Sequence, residues 1–327
     1  MTPVKPRDRG SPAFGYACIG LATILFSSME IALKKSAGSF SPLQLNVLRF
    51  LVGGVFLLPF ALRSLRRRGA AASLDARDLG FFALTGFTCV VLSMTLYQLS
   101  IRYCSASIVA ILFSCNPVFL IPLAAIFLKE RIRAHSAVSL ALSLAGMACI
   151  LNPFETRPSA SPAGIALVLC SAAAFAAYGV MSKTRSPRLG GLAVTSFSFL
   201  AGGAELLVLI LASRIPPIAS ALRSAGLGVF AEIPILRGLE PRLLPIFAYI
   251  ALGVTGLGFA AYLTAVEKTS AATASLVFYV KPALATLLAF LILGEAIAPT
   301  TMAGIALIAA GSAVAFIGAR RSSRSGQ

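Results

Sequence analysis

Residues 105–130 read SASIVAILFSCNPVFLIPLAAIFLKE, and residues 270–295 read SAATASLVFYVKPALATLLAFLILGE. Laid over one another, they match Ser105 with Ser270, Ala106 with Ala271 and Phe113 with Phe278. The match continues through Pro117 with Pro282, Leu123-Ala124 with Leu288-Ala289, Leu128 with Leu293 and Glu130 with Glu295. Each stretch is an apolar block, and crossing a bilayer core takes roughly 20 helical residues. The same membrane-crossing helix is therefore written twice, 165 positions apart.

The repeat extends in both directions. At the same offset Tyr97 meets Tyr262, Ala141 meets Ala306 and Gly146 meets Gly311. At an offset of 149, Gly15 meets Gly164, Ala17 meets Ala166, Phe26 meets Phe175 and Lys34 meets Lys183. Leu43 meets Leu192, Phe50 meets Phe199, and Gly53-Gly54 meets Gly202-Gly203. The change of offset falls near the longer connection 214–242.

The apolar blocks place spans at 14–33, 43–62, 79–99, 106–128, 136–152, 163–182, 190–213, 243–265, 271–293 and 299–318. A membrane β-barrel would instead show alternating segments of about ten residues. The expected fold is an all-α integral membrane protein of ten transmembrane helices, a 5+5 inverted-topology repeat. An odd number of spans per half turns the second half upside down relative to the first. The organisation is a cytoplasmic tail 1–13, a first five-helix repeat 14–152, a second 163–318 with the long outer loop 214–242, and a cytoplasmic tail 319–327. Inverted repeats are a recurring plan of secondary transporters, with the substrate held near mid-membrane between the halves.

Composition agrees. The 327 residues are 58% hydrophobic and 12% charged, with a mean hydropathy of +0.90. The net charge of +17 sits largely in short loops, as positive charge does when it sets membrane orientation. With the N-terminus in the cytoplasm, 18 Lys and Arg fall on cytoplasmic segments and 8 on outer ones. Both termini are thus placed inside, in a cell inner (plasma) membrane. This distribution accounts for the charge without nucleic acid as a partner. Lys5, Arg7 and Arg9 precede the first apolar run, but that run is long enough to span and Glu30, Lys34 and Lys35 follow it, so it reads as a retained helix.

The stretches Ser105-Ala106-Ser107 through Asn116-Pro117 to Leu128-Lys129-Glu130, and Ser270-Ala271 through Lys281-Pro282 to Leu293-Gly294-Glu295, resemble the EamA family of the drug/metabolite transporter superfamily, and Arg49 in the second span fits the same pattern. The resemblance covers nearly the whole chain. It implies ten helices in a 5+5 inverted repeat, a central cavity, alternating access and, in many members, export of amino acids or other metabolites.

Charges inside spans are costly and mark function by default. Four occur: Glu30, Arg49, Glu205 and Lys281. Lys281 lies near mid-membrane before Pro282, and Asn116 before Pro117 is its repeat mate. Each proline removes a helical hydrogen bond and frees the carbonyl four residues back, of Phe278 or Phe113. A bent helix with a free carbonyl and a polar side chain suits a polar solute, so Lys281 and Asn116 are candidate substrate-binding residues. Glu205 is a candidate proton-coupling carboxylate or the partner of Lys281. Glu30 and Arg49 lie at similar depth on consecutive helices, where a pair between them would brace the outer gate. Arg49 would otherwise clamp a carboxylate or phosphate. Tyr97 and Tyr262 would line the path or anchor at the interfaces. Glu130 and Glu295 end helices, and read as solvated or arginine-paired.

The implied partners are a small-molecule solute and the lipid bilayer, with protons as a candidate coupling ion and a homodimer compatible with the chain. The six cysteines form no CxxC pair or Cys/His cluster, so no metal site or disulfide framework is expected. No GxxxxGK[ST] motif supplies a nucleotide site, and no cofactor is called for. The single histidine, His135, lacks an HExxH context, which leaves a membrane-embedded enzyme the weaker alternative. A lipid flippase, the other alternative, would need a lateral opening.

Overall fold

The computed structural model describes residues 12–36, 39–68, 74–129, 134–151, 161–236, 240–268 and 276–324. Glu130, Ser270, Ala271, residues 1–11 of the N-terminal tail and the last three residues lie outside the described residues, so the expectations placed on them are not taken further. Among the described residues the chain is helical, with no β-strand.

The first rod comprises α1 (Pro12–Ser27) and α2 (Met29–Ser36), bent at Ser28. The Ser28 hydroxyl donates to the Ile24 carbonyl at 2.9 Å, a back-bond that bends helices. α3 (Pro42–Arg67) starts behind a capping box in which Ser41 and Gln44 satisfy each other's backbone groups. α4 (Ala76–Gly86) opens on the Asp75 cap and runs through a π-helical stretch, Phe87–Met94, into α5 (Thr95–Tyr103). α6 (Ala106–Ser114) and α7 (Asn116–Leu128) are separated at Cys115. Pro117 is the second residue of α7, where a missing N–H costs nothing, so the helix restarts there instead of bending around a freed carbonyl. α8 (Ala134–Leu151), α9 (Pro162–Leu189) and α10 (Gly191–Ala212) follow.

The segment 214–242 is partly folded: it holds α11 (Pro216–Ser224) and two single 3₁₀ turns, and it buries Ile233 in the main core. α12 (Leu244–Ala248) passes through a second π-helical stretch, Tyr249–Gly258, into α13 (Phe259–Lys268). α14 (Leu276–Leu293) runs through Pro282 without a break, and α15 (Pro299–Arg324) closes the chain.

Among the described residues, seven helical segments are long and apolar enough to cross a membrane: Ala13–Ser36, Pro42–Arg67, Ala76–Tyr103, Ala106–Leu128, Pro162–Leu189, Gly191–Ala212 and Pro241–Ala265. Ala137–Ile150, Val280–Leu293 and Pro299–Gly311 are shorter apolar helices. Large apolar side chains stand outward, Ile126 and Phe127 each 69% exposed and Leu291 67%. Such a surface would aggregate in water and is at home in lipid.

Small residues set the helix pairings, and their contacts come in matched sets. A Cβ on Gly54 would strike Leu200, and one on Gly203 would strike Leu51. Gly53 lies against Thr255 and the Ala251 carbonyl, while Gly202 lies against Val90 and Gly86. Gly146 meets Gly304 and Ile308; Gly311 meets Ser139 and Ser143. In each set, exchanging every residue for its repeat mate turns one contact into the other. The mates Phe50 and Phe199 meet edge to face, with centroids 4.7 Å apart. As the α3 position advances from Leu51 to Gly54, its partner on α10 retreats from Gly203 to Leu200, so these mated helices pack antiparallel. α8 and α15 do the same, from His135 against Gly318 to Gly146 against Gly304.

Candidate functional site

The bend at Ser28 places Glu30 in the first turn of α2, where the helix N-terminus favours a carboxylate. Lys281, on α14, sets its Nζ 2.7 Å from Glu30 Oε1. The Tyr97 hydroxyl, on α5, donates to the same oxygen. The ammonium also lies 5.4 Å from the centre of the Phe113 ring, which packs edge to face on Tyr97 at 4.8 Å. Glu30, Tyr97 and Phe113 come from the first half of the chain and Lys281 from the second. All are sealed: Glu30 and Tyr97 are 0% exposed and Lys281 2%.

Arg49, 1% exposed, lies on α3. Its Nε donates to Asn46 Oδ1 at 3.2 Å, one terminal nitrogen approaches Met29 Sδ at 3.8 Å, and its guanidinium stands 4.6 Å from the centre of the Phe50 ring. Among the described residues Glu30 Oε2, Arg49 Nη2 and Ser27 Oγ are buried without a hydrogen-bond partner. The ion partner of Glu30 is therefore Lys281, and the expected Glu30–Arg49 brace does not form. Lys281 likewise pairs with Glu30, leaving Glu205 aside. The expectations shared one cause: depth along a helix is legible in sequence, whereas the direction a residue faces around it depends on the bend at Ser28.

Two blocks of the chain, residues 13–152 and 162–317, match the profile of the EamA-like transporter family. The chain belongs to that family. It is a multi-pass membrane protein. An uncharacterized transporter of Clostridium kluyveri is 35% identical over 308 residues, 92% of this chain and 93% of the relative. A protein of Streptantibioticus cattleyicolor named as a probable terminal-alkyne amino-acid exporter is 27% identical, over 84% of this chain and 87% of its own length. A solved crystal structure shares the fold at a TM-score of 0.63 and 20% identity, covering 95% of this chain and all of that one.

Four candidate residues of this EamA-like transporter remain. Asn116 donates its amide to the Ala172 carbonyl on α9 at 2.9 Å. Tyr262 packs its ring against Phe278 at 5.5 Å and Phe26 at 6.2 Å. Glu205 is part-buried on α10, with Oε2 unpartnered among the described residues. Pro282 is buried directly beside Lys281.

Both ends of the bundle are tied across the halves. At one, the Glu295 carboxylate accepts from the Ala106 amide (2.8 Å), the Ser107 amide (3.1 Å) and the Ser107 hydroxyl (2.7 Å), capping α6. The Gln44 amide donates there to the Ile235 carbonyl at 3.1 Å, while within the first half Lys34 bonds the carbonyls ending α5, of Ile101 and Cys104, at 2.8 and 2.9 Å. At the other end, buried Asp78 receives both Arg185 and Arg188 of α9. Sequence reading missed Glu295 as a working residue because its partners are backbone amides on another helix. The available signal was its recurrence with Glu130 at the repeat offset.

Proposed function

We propose that this protein is a secondary transporter that moves a small, amino-acid-like solute, in the export direction, by alternating access through a central site between two inverted five-helix halves. The observation that carries the reading is the buried Glu30–Lys281 pair, because each half contributes one charge. Charges inside a membrane protein are kept where they serve a pathway. Inversion is supported by the antiparallel mated helices and their exchanged glycine contacts. Ten crossings follow when the three shorter apolar helices are counted with the seven long ones. Ties at both ends, with the charges shut between them, describe an occluded carrier. Release of the Glu295 ties would open one end, and release of the Asp78 ties the other. With both termini cytoplasmic in the inner membrane, the Glu295 end is outer.

An amino-acid-like solute fits the free valences. Glu30 Oε2 offers a place for an ammonium and Arg49 Nη2 for a carboxylate. The named function of the Streptantibioticus cattleyicolor relative points the same way.

The test is counterflow. Proteoliposomes loaded with unlabelled L-amino acids are diluted into a trace of the ¹⁴C-labelled mixture. A carrier accumulates label transiently above equilibrium, and an enzyme or scaffold does not. Absence of any overshoot across the mixture would remove the amino-acid reading.

A further inference from the structure

We propose that Lys281 is a tethered surrogate for the solute's cationic group: it neutralises Glu30 in the empty carrier and so lets the protein reorient with nothing bound. This rests on the transport reading above and specifies how its central site is coupled.

The argument starts from the return step. A carrier that has released its solute must pass back through the sealed state, and there Glu30 is 0% exposed. An uncompensated carboxylate in such surroundings is strongly unfavourable. Within the protein itself, Glu30 is neutralised by Nζ of Lys281 at 2.7 Å. Tyr97 adds a hydrogen bond and no charge. Arg49 is the other cation near Glu30, and its Nε donates to Asn46 on its own helix. It also approaches Met29 on α2, and the cation in direct contact with the Glu30 carboxylate is Nζ of Lys281.

Lys281 can also yield. Its long stem lets the ammonium swing, and the Phe113 ring, whose centre already lies 5.4 Å from the ammonium, gives it an attractive face to move along. Among the described residues Glu30 Oε2 has no hydrogen-bond partner, so an arriving ammonium lands on that oxygen while Lys281 still holds Oε1. Displacement then proceeds without stripping the carboxylate bare. A carrier built this way needs neither a coupling sodium ion nor a bound proton to return empty, and it runs as readily in net efflux as in exchange.

Two measurements test this, and the first needs no solute. Cys104 is 3% exposed beside the Glu295 tie, so maleimide reaches it when that end opens. Purified, solute-free protein is labelled in detergent and Cys104 is read by peptide mass mapping. Wild type and Lys281→Arg label steadily. Lys281→Met, with Glu30 unpaired, labels at least about tenfold faster, because the sealed form that shuts Cys104 away is penalised relative to the open ones. Glu30→Gln/Lys281→Met, neutral by itself, returns to within about threefold of wild type. Equal labelling of Lys281→Met and wild type overturns the proposal. So does a double variant that labels more than about threefold away from wild type, and this second criterion stands even if Lys281→Met fails to fold.

The second measurement compares fluxes of ¹⁴C-labelled L-amino acids in proteoliposomes. In Lys281→Met, net efflux falls by about tenfold or more relative to counterflow, in which the solute's ammonium neutralises Glu30 on every passage. Parallel loss of both fluxes overturns the proposal. Failure of wild type to carry any amino acid sinks the substrate reading, while the labelling result still decides the role of Lys281.

Discussion

Glu30 and Lys281, 251 positions apart in the chain, meet at 2.7 Å in the sealed centre of the bundle, one from each half. A buried pair broken from one side leaves the other charge stranded, at about 3–5 kcal/mol. Lys281→Met is expected to lower the thermal unfolding midpoint in detergent clearly. Glu30→Gln/Lys281→Met is expected to recover most of the loss, since it removes both charges of the pair together. Equal destabilisation in both variants would mean that packing, rather than charge, holds the two helices together.

Glu295 caps α6 from the opposite half through two amides and a hydroxyl. Removing a cap of this kind costs about 0.5–2 kcal/mol. Glu295→Ala is therefore expected to stay folded and to expose its end of the bundle more often, so that Cys104 reacts with maleimide several-fold faster than in wild type. Unchanged reactivity would show that the cap stabilises α6 alone and gates nothing.

Asp78 ties the other end, holding Arg185 and Arg188, which are 32% and 44% exposed. Solvent screens pairs this exposed, so Asp78→Asn is expected to cost little stability, about 1 kcal/mol or less. Its effect should be on the balance of states: Cys104 should react more slowly, opposite to Glu295→Ala. Faster labelling in Asp78→Asn would contradict the opposition of the two ends.

Gly86 and Gly202 bring two backbones into direct contact, and a side chain on Gly86 would fall on Gly202 and the Ser198 carbonyl. Gly86→Val is expected to abolish a monodisperse peak in size-exclusion chromatography. Gly80, six residues earlier on the same helix, has open space around it, so Gly80→Ala is expected to be tolerated and slightly stabilising, by up to about 1 kcal/mol. Similar behaviour of the two variants would refute close helix approach at Gly86.

Much of this was legible in the sequence because membranes make it so. Apolar blocks had to be long, charges in them had to be few, and Glu30, Arg49 and Lys281 stood out for that reason. The glycines that mate across the repeat, Gly53-Gly54 with Gly202-Gly203 and Gly146 with Gly311, also mark where helices touch. Who pairs with whom was not legible. Glu30 and Arg49 share a depth but face different neighbours once the first rod bends at Ser28. The separation of α6 from α7 at Cys115 was hidden because nothing in the apolar run announces a stop before Pro117. The 214–242 segment read as a plain loop, because a nine-residue helix and one buried isoleucine leave little periodic signal.

The most direct measurement of the account is a pair of spin-label distances in one protein, one across each end: Arg102 to Ala296 beside the Glu295 tie, and Arg67 to Lys183 near the Asp78 tie. Electron–electron resonance should find the two distances moving in opposition, with Glu295→Ala lengthening the first and shortening the second, and Asp78→Asn doing the reverse. If both distances lengthen together, or neither responds to either substitution, the two halves do not alternate around Glu30 and Lys281 and the carrier mechanism is wrong.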